Sequence, residues 1–215
     1  MSIFQAVLFD LDGTLVDSEP RSRAAWAKLF HTHSVPCDAA LLATFSGRRG
    51  HDVMAEHAHA FPAARSIDSL LEEAFGYYFG PDMPSIVAVP GAIELVSRLR
   101  ETHVPMGIVS SGLRDHVQSI LEGIGIAHHF DVLVTSDDVQ HGKPSPEGYL
   151  KACAKLRIDP TRALAFEDAP AGIAAAKAAG MTCVALTTTQ RLQALEHADA
   201  VVTDFTQIPW PLALP

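Results

Sequence analysis

Polar residues follow four short apolar runs of this 215-residue sequence. A short apolar run closed by Asp or Gly is typical of a buried strand that leads into a loop. The residues in the segments after these runs are Asp10, Asp12, Ser110, Ser111, Gly112, Lys143, Glu167 and Asp168. Carboxylates, hydroxyls and a lysine can bind a metal ion, bind an anion or transfer protons. In a parallel sheet such positions meet at one edge, which is where these sheets bind ligands.

The charge balance at this edge predicts a divalent cation. Asp10, Glu167 and Asp168 are acidic, and Lys143 is the basic residue that accompanies them. Carboxylates this close together do not all stay ionised without compensation. Oxygen ligands alone favour Mg²⁺, which keeps several waters and usually also contacts a phosphate. The sequence therefore predicts Mg²⁺ as the cofactor.

A phosphate site is predicted where residues 110–112 lead into a helix that begins near Leu113. Helix N-termini present free N–H groups and a partial positive charge, which suit a phosphate. Metal, phosphate and carboxylate together predict phosphoryl transfer through an aspartyl phosphate. In this hypothesis Asp10 attacks phosphorus, while Asp12 protonates the leaving alkoxide and then activates water. Mg²⁺ and Lys143 offset the repulsion between the two anions.

The elements that must position these residues form an alternating pattern. Continuous apolar strands separated by helical segments indicate an α/β fold with a doubly wound parallel sheet, covered by helices on both faces. The predicted strands are 6–9, 106–109, 132–135, 163–166, 182–186 and 200–202. The predicted helices of this part are 92–102, 113–124, 146–156 and 171–179.

Residues from about 20 to 85 interrupt this alternation. They contain no convincing strand, and their apolar spacing predicts three or four helices. Those helices include 21–33, 52–59 and 66–79. We therefore predict an α/β core domain of residues 1–16 and 86–215, with a small helical domain of residues 17–85 inserted after the first strand. The insert is expected to lie over the mouth of the sheet.

Composition and charge exclude several classes of protein. Hydrophobic residues make up 48% and charged residues 19%, which excludes a disordered chain. The net charge of −9 disfavours a nucleic-acid partner. No apolar run reaches the roughly 18–20 residues of a membrane span, and no signal peptide is visible. Three cysteines without a CxxC pair fit a reducing compartment. We expect a cytoplasmic protein without a membrane partner and take a monomer as the default.

Four segments resemble, in order, the motifs of the haloacid dehalogenase superfamily of phosphotransferases. They are residues 10–18, 109–112, 142–146 and 166–172. The resemblance covers nearly the whole chain. It implies Ser110 as a phosphate-binding hydroxyl. It also implies Asp10, the backbone carbonyl of Asp12, and Asp168 as Mg²⁺ ligands, with Glu167 beside the metal, directly or through water.

The helical insert resembles the cap domain that this superfamily places after its first motif. Residues 45–50 resemble the loop of that cap that enters the active site and contacts substrate. The resemblance implies a substrate contact from Arg48 or Arg49, with Arg49 slightly favoured. The subgroup that the chain resembles is the small sugar phosphatases near β-phosphoglucomutase.

The predicted function is Mg²⁺-dependent hydrolysis of a small phosphomonoester, such as a sugar phosphate. A sugar phosphomutase is the alternative enzyme. The mutases have a His shortly after the first motif, where this chain reads Glu-Pro-Arg-Ser at 19–22, and a cap lysine, which residues 38–85 lack. A phospho-receiver module is the non-enzymatic alternative. An acid and base for turnover at Asp12, and a cap that implies a substrate chamber, favour an enzyme over that module.

Overall fold

The computed structural model describes residues 4–45, 48–209 and 211. Within these residues the strands are β1 Ala6–Phe9, β2 Val16–Asp17, β3 Val87–Ala88, β4 Met106–Val109, β5 Val132–Val134, β6 Ala163–Glu167, β7 Thr182–Leu186 and β8 Ala200–Val202. The α-helices are α1 Glu19–Thr32, α2 Ala39–Ala43, α3 Gly50–His57, α4 Ile67–Tyr78, α5 Ala92–Glu101, α6 Arg114–Gly123, α7 Glu147–Leu156 and α8 Pro170–Ala178. Among these helices, none has both the length and the apolar composition needed to cross a membrane.

Six strands form one parallel sheet in the order β5-β4-β1-β6-β7-β8. Counted along the chain within this sheet, the order is 3-2-1-4-5-6, so the direction of winding reverses between β1 and β6. A reversal of this kind leaves a crevice at the carboxyl ends of the two strands, where ligands bind. The predicted doubly wound α/β fold is confirmed.

Both faces of the sheet are buried, because each central strand sends alternate side chains to opposite sides. Val7 and Phe9 of β1 belong to a hydrophobic cluster with residues of α5 and α6. Ala6 and Leu8 of the same strand belong to a second cluster with residues of α7 and α8. All four β1 side chains are fully buried, which fixes the strand that carries Asp10 at its end.

The predicted elements of the core are present, and each end agrees with the prediction or differs from it by one residue. The strand predicted to include Thr135 ends at Val134, because Thr135 instead caps the 3₁₀ turn Ser136–Asp138 with its side chain. Helices α6 and α8 are followed by Gly125 and Gly180, whose φ angles of 77° and 85° favour glycine. Among the described residues, the predicted three or four helices of the insert are four, of which α2 had not been located, and the two-stranded antiparallel pair of β2 and β3 was missed.

The described residues between 20 and 85 are helical and contain no strand, as predicted. Their buried side chains form a third hydrophobic cluster that is separate from the two clusters of the sheet. The chain leaves and rejoins the sheet domain side by side, since Val16 pairs with Ala88 and Asp17 pairs with Val87. The exact division at residues 17 and 86 stays a prediction.

Candidate active site

Asp10 lies directly after β1 and is bound by Lys143. The Lys143 ammonium donates to Asp10 Oδ1 at 2.6 Å and lies 2.6 Å from Glu167 Oε1. Burial raises the pKa of Asp10 from 3.8 to about 7, although Lys143 opposes this shift. Burial alone would lower the pKa of Lys143, but the charges of Asp10 and Glu167 outweigh it and raise that pKa. Lys143 therefore stays positively charged and holds two carboxylates at one point.

Three carboxylates meet where β1 and β6 end. Asp10, Glu167 and Asp168 each offer an oxygen within 4.8 Å of the others, and all three are buried. Asp10 Oδ2 and Glu167 Oε2 are buried without a hydrogen-bond partner among the described residues. Burial, followed by the charges of Asp10 and Glu167, raises the pKa of Asp168 well above its usual value. Orphaned oxygens and excess negative charge fit a divalent cation with oxygen ligands.

Neighbouring hydroxyls hold two of these carboxylates in place. Thr14 donates to Asp168 Oδ1 at 3.1 Å, and the Thr189 hydroxyl donates to its other oxygen. The buried Tyr149 hydroxyl donates to Glu167 Oε1 at 2.5 Å. The sequence reasoning missed Tyr149 and Thr189, since only the packing of α7 and of the loop after β7 brings them to this edge. The arrangement fixes the carboxylate oxygens before any ligand binds.

Gly13 keeps the loop after β1 close to these carboxylates. Its φ is 88°, a conformation that favours glycine, and a Cβ at this position would collide with the Asp168 carboxylate. The Asp-x-Asp-Gly spacing therefore has a steric reason. Glycine is required so that this loop can pass beside the carboxylate that follows β6.

Asp12 lies two residues beyond Asp10, and its side chain faces a different set of partners. Ser18 donates to Asp12 Oδ1 at 2.6 Å, and His116 Nε2 lies 3.6 Å from the same oxygen. Burial by itself raises the pKa of Asp12, but His116 and Ser18 together lower it below its usual value. Asp12 is thus held as a carboxylate on the chamber side of the carboxylate cluster.

His116 is a site residue that the sequence reasoning missed. It lies on α6 with its side chain 91% buried, and it shares the buried face with Val117 and Ile120. Its ring packs against Tyr78 of α4, with ring centroids 4.9 Å apart. The sequence did contain an indication of this role. His116 lies on the apolar face of a helix that begins near the end of a strand, and a buried polar side chain there needs a hydrogen-bond or charged partner.

Ser110, Ser111 and Gly112 follow β4, which is the neighbour of β1, and line the same chamber as Asp10. The backbone N–H of Gly112 donates to Ser110 Oγ at 3.0 Å, so Ser110 also stabilises this turn. The helix α6 begins at Arg114, one residue later than predicted, and Leu113 occupies the N-cap position. The Arg114 N–H donates to the Asp137 carboxylate at 2.8 Å. This N–H of α6 therefore already has an anionic partner.

Arg48 and Arg49 both line the chamber but are engaged with carboxylates of the helical insert. Arg48 binds Glu56 through both guanidinium amines. Arg49 binds Asp52 through two hydrogen bonds of 2.7 and 2.8 Å. Arg49 alone of the two also donates to the core, at 3.2 Å to the backbone carbonyl of Gln140. Ser46 and Gly47 of the same predicted loop lie outside the described residues.

The chamber lies between the helical insert and the carboxyl edge of the sheet, and its volume is about 670 Å³. Its walls include Asp10, Asp12, Ser110, Arg49 and α4 residues from Asp68 to Tyr78. A cavity of this size lies in the usual range for sites of small organic ligands. The predicted phosphate and proton-transfer residues thus open onto a single space.

The chain is similar to several known proteins. The chain is 49% identical over 209 residues to validoxylamine A 7'-phosphate phosphatase from Streptomyces hygroscopicus subsp. limoneus, which covers 97% of this chain and 98% of that protein. It is 32% identical to hexitol phosphatase A from Escherichia coli (strain K12), over 94% of this chain and 91% of that one. Among solved structures, CbbY from Rhodobacter sphaeroides in complex with phosphate is similar, with a TM-score of 0.83 at 25% identity, over 95% of this chain and 96% of that chain.

The family-level comparison agrees with the fold and with the residues at its edge. A family model described as haloacid dehalogenase-like hydrolase matches residues 4–180, which include all four predicted motifs. The matched residues include strands β1, β4, β5 and β6, the Lys143-bound Asp10 and the acidic pair at the end of β6. The chain belongs to the haloacid dehalogenase-like hydrolase family.

Proposed function

We propose that this chain is a Mg²⁺-dependent phosphomonoester hydrolase that acts on small phosphorylated metabolites, sugar phosphates in particular, through an aspartyl phosphate at Asp10. The observation that carries the proposal is the state of the Asp10 carboxylate. Lys143 holds Oδ1 at 2.6 Å, while the buried Oδ2 has no partner among the described residues. A nucleophile needs this combination of a fixed position and a free lone pair.

The carboxylate cluster supports the metal part of the proposal. Asp10, Asp168 and the backbone carbonyl of Asp12 would hold Mg²⁺, with Glu167 beside it. When bound, the metal offsets the negative charge of nucleophile and phosphate, which is its usual contribution to phosphoryl transfer. Lys143 acts in the same sense, because its ammonium group lies against both Asp10 and Glu167.

The reaction that we propose has two halves that balance. Asp12, which is ionised in the free protein, takes up a proton as the anionic phosphate binds, because a nearby negative charge favours the protonated carboxyl. Asp10 then forms a bond to phosphorus as the ester P–O bond breaks, and the leaving alkoxide takes this proton from Asp12. Water then attacks phosphorus, Asp12 takes a proton from it, and the Asp10–phosphorus bond breaks to release inorganic phosphate. Ser18, which donates to Asp12 at 2.6 Å, keeps the Asp12 carboxyl oriented through both halves.

Phosphate binding is assigned to the turn after β4. Ser110, Ser111 and Gly112 line the chamber beside Asp10 and would contact the phosphate oxygens. The helical insert, residues 17–85, would act as a cap that covers the substrate and excludes water, because its helices α1 and α4 form walls of the chamber. Arg48 and Arg49 would contact the leaving group from that cap.

The relatives support a phosphatase rather than a mutase. Two of them, at 49% and 32% identity, are named as phosphatases of a validoxylamine phosphate and of hexitol phosphates. We extend to this chain the hydrolysis of phosphorylated sugars and related polyols. A phosphomutase would require a phosphorylated activator for turnover and would not release phosphate from its substrate.

The test is phosphate release by the full chain from p-nitrophenyl phosphate and a panel of sugar and polyol phosphates, with Mg²⁺ and with EDTA. We expect release with Mg²⁺, loss of release in EDTA, and recovery when Mg²⁺ is added back. Asp10→Asn should remove turnover while the circular dichroism spectrum stays unchanged. Conversion of a hexose phosphate to its isomer without phosphate release would overturn hydrolysis, and a folded, active Asp10→Asn would overturn the covalent step.

A further inference from the structure

His116 is a buried polar side chain in an apolar setting. It shares the buried face of α6 with Val117 and Ile120, and its Nδ1 is buried without a hydrogen-bond partner among the described residues. A buried polar atom without a partner lowers the stability of the folded protein. An apolar side chain would fill this position without that loss, so packing alone does not explain a histidine here.

Three neighbours hold the His116 ring in place. The Tyr78 ring, at the end of α4, packs against it with centroids 4.9 Å apart, and the Phe79 ring lies at 5.8 Å. On the core side, a Cβ added at Gly112 would lie 3.0 Å from His116 Cδ2, so the ring lies directly against the turn after β4. The helical insert and the core therefore fix the ring between them.

The ring fixed in this way directs its Nε2 toward Asp12. His116 Nε2 and Asp12 Oδ1 are 3.6 Å apart, which is an electrostatic contact rather than a hydrogen bond of normal length. If the ring proton were on Nδ1, a buried N–H would lack a partner and the Nε2 lone pair would face the carboxylate. A proton on Nε2 avoids both, and the N–H dipole then attracts Oδ1.

The contacts of the Asp12 carboxylate are concentrated on one oxygen. Ser18, the N-cap residue of α1, donates to Oδ1 at 2.6 Å, and His116 faces the same atom. Among the described residues, Oδ2 of Asp12 accepts no hydrogen bond, and it is not one of the buried oxygens that lack a partner. The Asp12 side chain is 35% exposed and lines the chamber. Oδ2 is therefore the oxygen that is open to the chamber.

We infer that His116 is a positioning residue for proton transfer: with Ser18 it holds Oδ1 of Asp12, so that Oδ2 exchanges the proton with the leaving group. This inference rests on the proposed phosphatase function. The proton passes from Oδ2 to the leaving alkoxide, and water returns a proton to the same oxygen when the aspartyl phosphate is hydrolysed. His116 contacts no substrate and transfers no proton in this assignment. Tyr78 and Phe79 contribute from the insert, because they hold the ring that orients the carboxylate.

Two variants of His116 separate the N–H group from the ring. His116→Phe keeps an aromatic ring against Tyr78 and Phe79 but has no N–H. His116→Gln lacks the ring, but its amide can place an N–H near the position of Nε2. We expect His116→Phe to lower kcat/KM on a sugar phosphate by at least about tenfold, and His116→Gln to retain most of the wild-type value. A role in packing alone predicts the opposite order.

A series of aryl phosphates, from p-nitrophenyl phosphate to phenyl phosphate, tests whether His116 acts through Asp12. The more basic leaving groups need the proton most, so His116→Phe should lower kcat/KM more on phenyl phosphate than on p-nitrophenyl phosphate. Asp12→Asn has no carboxyl to position. Adding His116→Phe to Asp12→Asn should therefore leave the dependence of kcat/KM on the leaving group unchanged.

His57→Phe is the matched control. His57 also packs against two aromatic rings, those of Phe30 and Phe45, but it lies within the insert and is not part of the chamber wall. The replacement should leave the dependence of kcat/KM on the leaving group at its wild-type value. Circular dichroism and activity on p-nitrophenyl phosphate show whether each variant is folded. If His116→Phe does not fold, His116→Leu, which also lacks an N–H, takes its place in the same comparisons.

The outcomes separate this inference from the function on which it rests. Without Mg²⁺-dependent phosphate release from any of these esters, the proposed function fails, and the inference fails with it. If phosphate is released but His116→Phe loses nothing, or loses equally on all leaving groups, the inference alone is wrong. It is also wrong if His116→Gln is the more damaged variant, or if His116→Phe still changes the leaving-group dependence when Asp12 is Asn.

Discussion

Asp10 and Asp12 are two residues apart, yet their surroundings give them opposite properties. Asp10 is buried against Lys143 and the carboxylates after β6, and its pKa is raised to about 7. Asp12 faces Ser18 and His116, and its pKa is lowered. Environment therefore separates the two carboxyls in the sense that their proposed roles require, a nucleophile at Asp10 and a proton-transfer group at Asp12.

Replacing the Asp12 carboxyl should discriminate between leaving groups. Asp12→Asn keeps the backbone carbonyl but cannot transfer a proton, and general acid–base help is worth roughly 10²–10⁴-fold. We expect a large loss of kcat/KM on sugar phosphates, whose alkoxides need a proton, and a smaller loss on p-nitrophenyl phosphate. Steady-state kinetics on both substrates measures the difference. Equal losses would assign Asp12 another role.

The raised pKa of Asp10 predicts a pH-dependent effect of Mg²⁺ on stability. A carboxyl whose pKa is 3.8 unfolded and about 7 folded binds its proton more tightly in the folded state. It therefore contributes stability at low pH, and that contribution is lost as pH rises through about 7. Mg²⁺ binds the ionised cluster, so it should raise the melting temperature more at pH 8 than at pH 5.5.

Differential scanning fluorimetry with and without Mg²⁺ at the two pH values tests this coupling. Asp168→Asn is the control, because it removes a ligand of the proposed site and should reduce the Mg²⁺ effect at both pH values. A larger Mg²⁺ effect at pH 5.5 than at pH 8 in the wild type would contradict the assignment.

The proximity of the candidate site residues could be predicted, because parallel strands bring their carboxyl ends to one edge. Asp10, Lys143, Glu167 and Asp168 are brought together there. Tyr149 and His116 could not be assigned in the same way. Each is the third residue of its helix, and its contact depends on how that helix is rotated against the sheet, which residue spacing alone does not determine.

Helix α7 is connected to β6 through a single buried hydroxyl. Tyr149→Phe removes the 2.5 Å hydrogen bond to Glu167. Hydrogen bonds to charged groups contribute about 1.5–3 kcal/mol, so the free energy of unfolding should fall by about that amount. Urea denaturation measures it. Tyr77→Phe is the control, since Tyr77 donates to Glu73 in a part-buried site and should cost less.

The start of α3 is connected to the loop that leads to Lys143, through Arg49. The Arg49 guanidinium donates to the Gln140 carbonyl, whereas the Arg48 guanidinium forms its ion pair with Glu56 of α3, within the helical insert. We expect Arg49→Ala to lower kcat/KM on a sugar phosphate by at least about tenfold, or 1.4 kcal/mol. Arg48→Ala, the control, should lower it much less. Similar losses of kcat/KM for the two variants would show that the hydrogen bond from Arg49 to Gln140 does not cause the loss.

The long helices and the buried strands of the parallel sheet were predicted well, and the strands of two residues were not. The long helices α1 and α4 have a clear apolar period, so their ends are correct within two residues. Strands β2 and β3 have two residues each, too few for any period to be recognised. The two strands pair although they lie about 70 positions apart in the sequence, and a local sequence pattern does not indicate such a pairing.

The three hydrophobic clusters divide the protein into a covered sheet and a helical part with its own interior. From the loss of alternation after residue 20, the sequence predicts a helical insert, and its bounds as a domain stay a prediction. It could not predict how the helical part is oriented over the sheet. That orientation depends on contacts such as those of Arg49 and of Tyr78 with His116, which form only between folded parts.

The pairing of Val16 with Ala88 also bears on how the chain folds. Because the long excursion begins and ends at hydrogen-bonded neighbours, its helices bring their own two ends together once they have packed. The loop-closure entropy that the packed insert costs the sheet is then equivalent to that of a tight turn. Even for a flexible chain, each doubling of loop length costs only about 0.6 kcal/mol. The sheet should therefore accept helical inserts of quite different lengths between Asp17 and Val87 without losing its ability to fold.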